Sequence, residues 1–238
     1  MSTDKSLRQI KSWKSYFLDF FMIFLAVTLG FFAESYRSDL ADVKKSNQLK
    51  KAIAIDMKKD IKQLEEYNAQ INFILRMIDR MDSLLDVNPK EVYQRDYYNT
   101  LINYSIIYSF SVSDKSLHQA ESMGFIQNYH KENLGADILK HQYFLKDLKY
   151  TEGLITEVYM DYFKEIIPSI TDPKLYRKVW TYPLGELKSK KGIAPVSKET
   201  RKQLDYFFAQ ATIALTMVKL DADSVMFYAN KIKNEIEK

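Results

Sequence analysis

The chain predicts an all-α fold: one N-terminal transmembrane helix, continuous with a stalk helix, followed by an antiparallel helical-bundle soluble domain. Three observations predict it. Fourteen consecutive uncharged residues, 20–33, lie between Asp19 and Glu34. Six glycines and five prolines in 238 residues are too few for many short strands and tight turns. Beyond residue 50, apolar residues recur at three- and four-residue steps, the period of a helix that buries one face.

Residues 1–15 form a basic lead, with Lys5, Arg8, Lys11 and Lys14. The expected transmembrane helix covers residues 16–34. Its eighteen residues 16–33 contain one acid, Asp19, and at ~1.5 Å per residue they reach roughly 27 Å, against a hydrocarbon layer of about 30 Å. Asp19 and Glu34 therefore belong near the two interfaces. Trp13, Tyr16 and Tyr36 suit the headgroup layers, and Lys11, Lys14 and Arg37 can snorkel there. A cleaved signal peptide needs small residues before the cut, whereas this run ends in Phe31-Phe32-Ala33. A buried or in-plane helix needs a polar stripe or a covering partner, and the apolar residues occupy every face. The basic excess before the span, against Arg37, Lys44 and Lys45 after it, favours a cytoplasmic N-terminus and an exported C-terminal domain. Ala26 and Gly30 form one small-xxx-small pair.

The remaining residues, 35–238, are expected to form the helical soluble domain, with helices near 35–87, 90–110, 114–123, 134–167, 173–181 and 198–237. Met57, Leu64, Ile71, Ile78 and Leu85 recur every seven residues, with Ile61 and Leu75 four residues after two of them and Ile74 and Met81 widening the stripe. Asn68 and Asp82 interrupt that second row, which favours a helix packed inside its own domain over a long dimeric coiled coil. Asn88-Pro89 closes the first helix, since proline is tolerated in a first turn and not deep in a helix. The next helix carries Tyr97, Leu101, Tyr104, Ile107 and Tyr108. Ser113 can cap the short helix that ends near Gly124. Gly153 marks a close helix contact inside the long helix 134–167. Pro168, Pro173, Pro183 and Pro195 bracket the least regular stretch, with a basic connector at Lys188, Lys190 and Lys191. Ser197 is a good N-cap for the last helix, whose residues 220–223 form a candidate bend.

Composition excludes some chemistry. There is no cysteine, hence no disulfide, thiolate nucleophile or cysteine-bound metal. Basic and acidic residues interleave around a net charge of +4, unlike a nucleic-acid binder. Seventeen tyrosines and fourteen phenylalanines point to a Tyr-rich helical core. His118, His130 and His141 lack the i, i+4 spacing of a zinc helix, and no nucleophile elbow, zinc-protease helix or phosphate loop is present. No catalytic, cofactor-binding or metal residue is therefore assigned, and a non-enzymatic protein is expected. Glu34 and Arg37 stand at i, i+3 and read as a local pair closing the span. Asp19 would need a partner if it sat a turn deeper.

The run Phe20-Phe21-Met22-Ile23-Phe24-Leu25-Ala26-Val27-Thr28-Leu29-Gly30-Phe31, with Ala33-Glu34-Ser35-Tyr36-Arg37 after it, resembles the single span of a loosely characterised group of membrane-anchored proteins common in Bacteroidota. The segment Ser116-Leu117-His118-Gln119-Ala120-Glu121-Ser122-Met123-Gly124-Phe125-Ile126 is similar to their central segment, with Met123 where the group often has a small residue. The likeness covers roughly residues 10–165. It implies an anchor in the bacterial inner membrane and a helical domain, and transfers no catalytic residue. The expected role is a membrane-anchored interaction or scaffold protein of an envelope complex. Its partners would be the lipid bilayer and a protein or a second copy of the chain. The alternative is a small-ligand sensory domain on the same anchor, which needs an aromatic cleft between helices.

Overall fold

The computed structural model describes residues 13–106, 108–124, 133–181 and 190–238. These are nearly all helical: α1 (Trp13–Asp86), α2 (Gln94–Tyr104), α3 (Lys115–Ser122), α4 (Asn133–Asp161), α5 (Pro173–Thr181) and α6 (Lys198–Ile236). A π-helical turn, Tyr162–Ile166, and a last α turn, Ile167–Ile170, extend α4. Among the described residues there is no strand, only one isolated bridge between Tyr93 and Lys191. The chain divides into two compact units, one ending at Lys50 and one beginning at Lys51. Within the first, residues 13–50 of α1 are largely exposed.

The second unit is built on three long helices. α6 runs antiparallel to α1, because Asn68 meets Asp223 while Asp82 and Asp86 meet Arg201. It also runs antiparallel to α4, because Asp137 meets Lys231 while Thr151 meets Asp221. α1 and α4 are therefore parallel. This departs from a simple up-and-down bundle and forces the chain to return between them. The expected helix 90–110 accordingly ends at Tyr104, and residues 108–114 run back along the bundle without helix. The Phe110 N–H donates to Glu152 Oε1 at 2.8 Å, Ser113 N–H to Asp60 Oδ1 at 3.0 Å, and the Ser116 hydroxyl to Asp56 Oδ2 at 2.5 Å. Distant carboxylates thus satisfy backbone groups that a helix would satisfy internally.

The stripe of α1 also differs from expectation. Besides the seven-residue row Met57, Leu64, Ile71 and Ile78, the buried companions stand three residues on, where Asp60 and Tyr67 join the expected Ile74 and Met81. The seam is an unbroken heptad with one acid in it. Asn68, expected as an interruption, is itself buried and donates to Asp223 Oδ1 at 2.6 Å. From Ile53 onward the helix expected as a stalk is thus a core helix of the second unit.

At one end of the unit an aromatic cluster joins α2, α4 and α6. Phe207 stacks on Tyr162 with ring centroids 4.0 Å apart and meets the Tyr159 ring edge-on at 5.5 Å. The Tyr104 ring lies 5.6 Å from that of Tyr162, and their buried hydroxyls hydrogen-bond to each other. The π turn that carries Tyr162 has a local cause. Pro168 lacks the N–H that would bond to the Lys164 carbonyl, and its ring would press on that oxygen. A wider turn, with the Ile167 N–H bonded to the Tyr162 carbonyl, relieves this.

The helix ends follow their capping residues. Asp172 Oδ1 accepts from the N–H groups of Lys174 and Leu175 at the start of α5, where Pro173 needs no donor. Gly124, at φ +66°, ends α3 in the left-handed region that glycine enters without strain. Position 113 is not the cap of α3; Asp114 is, and Ser113 instead serves Asp60. Residues 220–223 lie within an uninterrupted α6. Gly153 has open space where a Cβ would sit, so it marks no close contact. Ser197 caps α6 as expected, its hydroxyl accepting from the Thr200 N–H at 3.0 Å. Ser197→Ala is expected to lower stability by about 1 kcal/mol, read as the urea midpoint. An unchanged midpoint would remove the cap's assigned role. The expectations placed on Lys5, Arg8, Lys11, Ile107, Phe125, Ile126, His130, Pro183 and Lys188 lie outside the described residues.

Candidate functional site

Two features stand apart from ordinary core packing. The first is the apolar part of α1. It is long and apolar enough to cross a membrane, and none of its most apolar eighteen-residue window is buried. Phe20 is 65 % exposed, Met22 66 % and Phe32 69 %, on different sides of the helix. A helix that buries one face shows alternation between covered and open positions, and this stretch shows none. Its aromatic rings stack along the helix at four-residue spacing, Trp13 on Phe17 and Phe17 on Phe21. Asp19 sits in this helix, exposed. Arg37 and Glu34 form a long, exposed i, i+3 contact at 4.0 Å, the local pair expected after the apolar run. A side-chain carbon added at Gly30 would meet nothing within 4 Å beyond its own helix.

The second feature is a buried polar seam in the bundle. Glu152 Oε1 accepts from the Tyr67 hydroxyl at 2.7 Å as well as from Phe110. Asp223 accepts from Asn68 and, at 2.9 Å, from Lys219. Asp137 is buried on α4, and its Oδ1 lies 2.8 Å from Lys231 Nζ, a hydrogen bond that raises the lysine's pKa. Asp60 is fully buried, with one oxygen held by Ser113 and the other without a partner. Loss of water around its carboxylate pushes its pKa up to about 6. His141 is also fully buried, neither ring nitrogen has a hydrogen-bond partner among the described residues, and burial holds its pKa down to about 4. His118 lies elsewhere, on the exposed side of α3, within 3.2 Å of Asp114 and 3.4 Å of Glu121. Among the described residues no three His, Asp or Glu side chains converge as metal ligands.

The space inside this unit is small. An enclosed cavity of about 10 Å3 lies between Tyr67, Ile74, Tyr159 and Val218, room for about one water molecule. Tyr159, whose hydroxyl has no hydrogen-bond partner among the described residues, lines it, and burial raises that hydroxyl's pKa. A shallower groove of about 250 Å3 opens on the surface between α4 and α6. The buried acids and histidine were not singled out as core residues by the sequence, because nothing local distinguishes a buried Asp60 from the exposed Glu65 five residues on. The apolar run was visible from its length alone.

Fold and site together define an all-helical protein with one long apolar helix near its N-terminus. Comparison takes this no further: no family model, no curated protein and no solved structure matches the chain.

Proposed function

We propose that this protein is anchored in a membrane by residues 16–34 and acts as a non-enzymatic interaction or scaffold protein of a bacterial envelope complex. The observation that carries the reading is the apolar run left uncovered on every side. Nine Phe, Leu, Ile and Val residues in positions 20–33 favour the bilayer by roughly 4 kcal/mol together, while an acid at its centre opposes it by about 3. The balance puts Asp19 and Glu34 at the edges of the span. A soluble core helix would bury such a window, and a cleaved leader would end with it, whereas α1 runs on to Asp86. The scaffold role is supported by a second unit in which buried Asn68, Asp137 and Thr151 are each tied to a side chain of another helix. Among the described residues, the pocket between Tyr67, Ile74, Tyr159 and Val218 has room for about one water molecule, too little for the ligand of a sensory domain. The bacterial inner membrane is carried by the likeness of segments 20–37 and 116–126 described above. The orientation, N-terminus cytoplasmic and C-terminal domain periplasmic, is carried by the basic residues before the span.

Membranes holding the full chain are expected to retain it through 1 M salt and an alkaline carbonate wash and to release it with detergent. Release by the alkaline wash would overturn the anchor. A reporter fused after Lys238 is expected to report from the exported side; activity confined to the cytoplasm would reverse the topology.

A further inference from the structure

α6 carries two apolar stripes, and only one faces the core. Leu204, Ala211, Leu215, Val218 and Val225 are buried against α1 and α4. On the other side Tyr206, Ile213, Leu220 and Phe227 recur every seven residues and are 64, 62, 62 and 60 % exposed. Met217 stands between two of them, also exposed, and residues 206–218 contain no charge at all. Beside Ile213 lies the groove between the helices, walled by Leu154 and Val158 of α4 and by Ala214 and Met217 of α6. A solvated helix face normally carries charge, and this one is apolar over three heptads.

We propose that a second copy of this chain docks on this face, with the two α6 helices packed in parallel and in register about a two-fold axis. Three observations select that occupant. A two-stranded seam needs the same residue class every seven positions on both helices, and a face repeating at that interval meets its own copy residue for residue. Tyr206, Ile213, Met217, Leu220 and Phe227 each offer on the order of 100 Å2, about 500 Å2 together, and the exposed Ala209, Gln210 and Thr216 beside them bring the face toward the ~800 Å2 that each side of a stable interface buries. The flanks also fit: with Gln210, Met217 and Ser224 as the second row of the seam, the pairs that would cross it, Ala209 with Ala214, Thr216 with Asp221 and Asp223 with Tyr228, set no like charges against each other. A lipid surface is a poorer occupant, since Asp205, Lys219 and Asp221 rim the face, as polar residues rim an interface. The inference rests on the reading of the chain as an interaction protein and names the partner as the chain itself. Shared anchoring in one bilayer raises the local concentration that such a patch needs.

The absence of cysteine makes the test direct. Full-length Ile213→Cys and Leu220→Cys proteins, oxidised in native membranes, are each expected to form a disulfide dimer with themselves, while Ile55→Cys, equally exposed on α1, is expected to stay monomeric. Ile213→Glu with Leu220→Glu is expected to weaken dimerisation in detergent about a hundredfold or more, with the helical circular dichroism spectrum unchanged. Cross-linking as efficient at Ile55→Cys as at Ile213→Cys, dimers only between Ile213→Cys and Leu220→Cys copies, no dimer at either position, or capture of a different protein would each overturn the proposal. None of these outcomes moves the chain out of the membrane. Release by the alkaline wash with the Ile213→Cys dimer intact would remove the anchor and leave this interface standing.

Discussion

Phe207→Ala is expected to destabilise the helical unit by about 3–5 kcal/mol, enough to lower its melting temperature by roughly 10 °C. Phe207 is 4 % exposed and sits where three elements meet. Its ring stacks on Tyr162 of the π turn, meets Tyr159 of α4 edge-on, and lies 6.3 Å from Tyr104 of α2. Truncation removes these ring contacts and opens a cavity that neighbours on three helices cannot close together. It also loosens the packing that keeps the buried Tyr104 and Tyr162 hydroxyls paired, and burial raises the pKa of the Tyr162 hydroxyl, which therefore needs its partner as a neutral group. Ile55→Ala, at a position 68 % exposed, is expected to change stability by less than about 0.5 kcal/mol. Equal losses from the two substitutions, measured by urea unfolding in detergent, would refute the aromatic hub.

The second large effect is a pair of pH dependences with opposite signs. Asp60 has a folded pKa above its unfolded value, so the folded state binds its proton more tightly, and the stabilisation is present below about pH 3.8 and lost as pH rises to about 6. His141 has a folded pKa below its unfolded value, so its contribution is present above pH 6.5 and lost as pH falls to about 4. Each shift is worth on the order of 3 kcal/mol. In the natural chain they oppose each other, and stability is expected to vary little between pH 4 and 6.5 on their account. Asp60→Asn should unmask the histidine: the variant becomes steadily less stable on acidification through that window, and more stable than the natural protein at pH 7.5. His141→Phe should unmask the acid, with stability falling as pH rises from 4 to 6. Urea midpoints at four pH values decide it. Two variants that track the natural protein in parallel would show that neither group titrates differently on folding.

The sequence made legible whatever is decided locally. Ser197, Pro173 and Gly124 set helix ends through their own chemistry, and the three long helices announced themselves by period. The return of the chain after Tyr104 was not legible, because the three- and four-residue spacing of Tyr97, Leu101 and Tyr104 continues to Tyr108. What wins over that spacing is a set of carboxylates 42 to 60 residues distant, Glu152, Asp60 and Asp56, that accept from the backbone of residues 110 to 116. The π turn was hidden for a similar reason: Pro168 advertises an irregularity without saying whether the helix will break or widen. The exposed heptad on α6 was present in the letters, but the inward stripe on the same helix accounts for its periodicity and masks the outward one. Nothing in one sequence marks His141 or Asp60 as interior, since their burial comes from the parallel placement of α1 and α4.

The return segment also behaves as a ruler. Phe110 lies level with Tyr67, since both donate to Glu152, and Ser113 lies level with Asp60. Seven residues of helix, about 10.5 Å, are thereby matched by three residues of nearly straight chain at about 3.5 Å each. With no slack, this exchange rate couples lengths that are far apart in the sequence. A heptad inserted into α1 demands about three residues more in the return and a heptad in each of the other long helices, so this architecture can grow or shrink only in such matched sets.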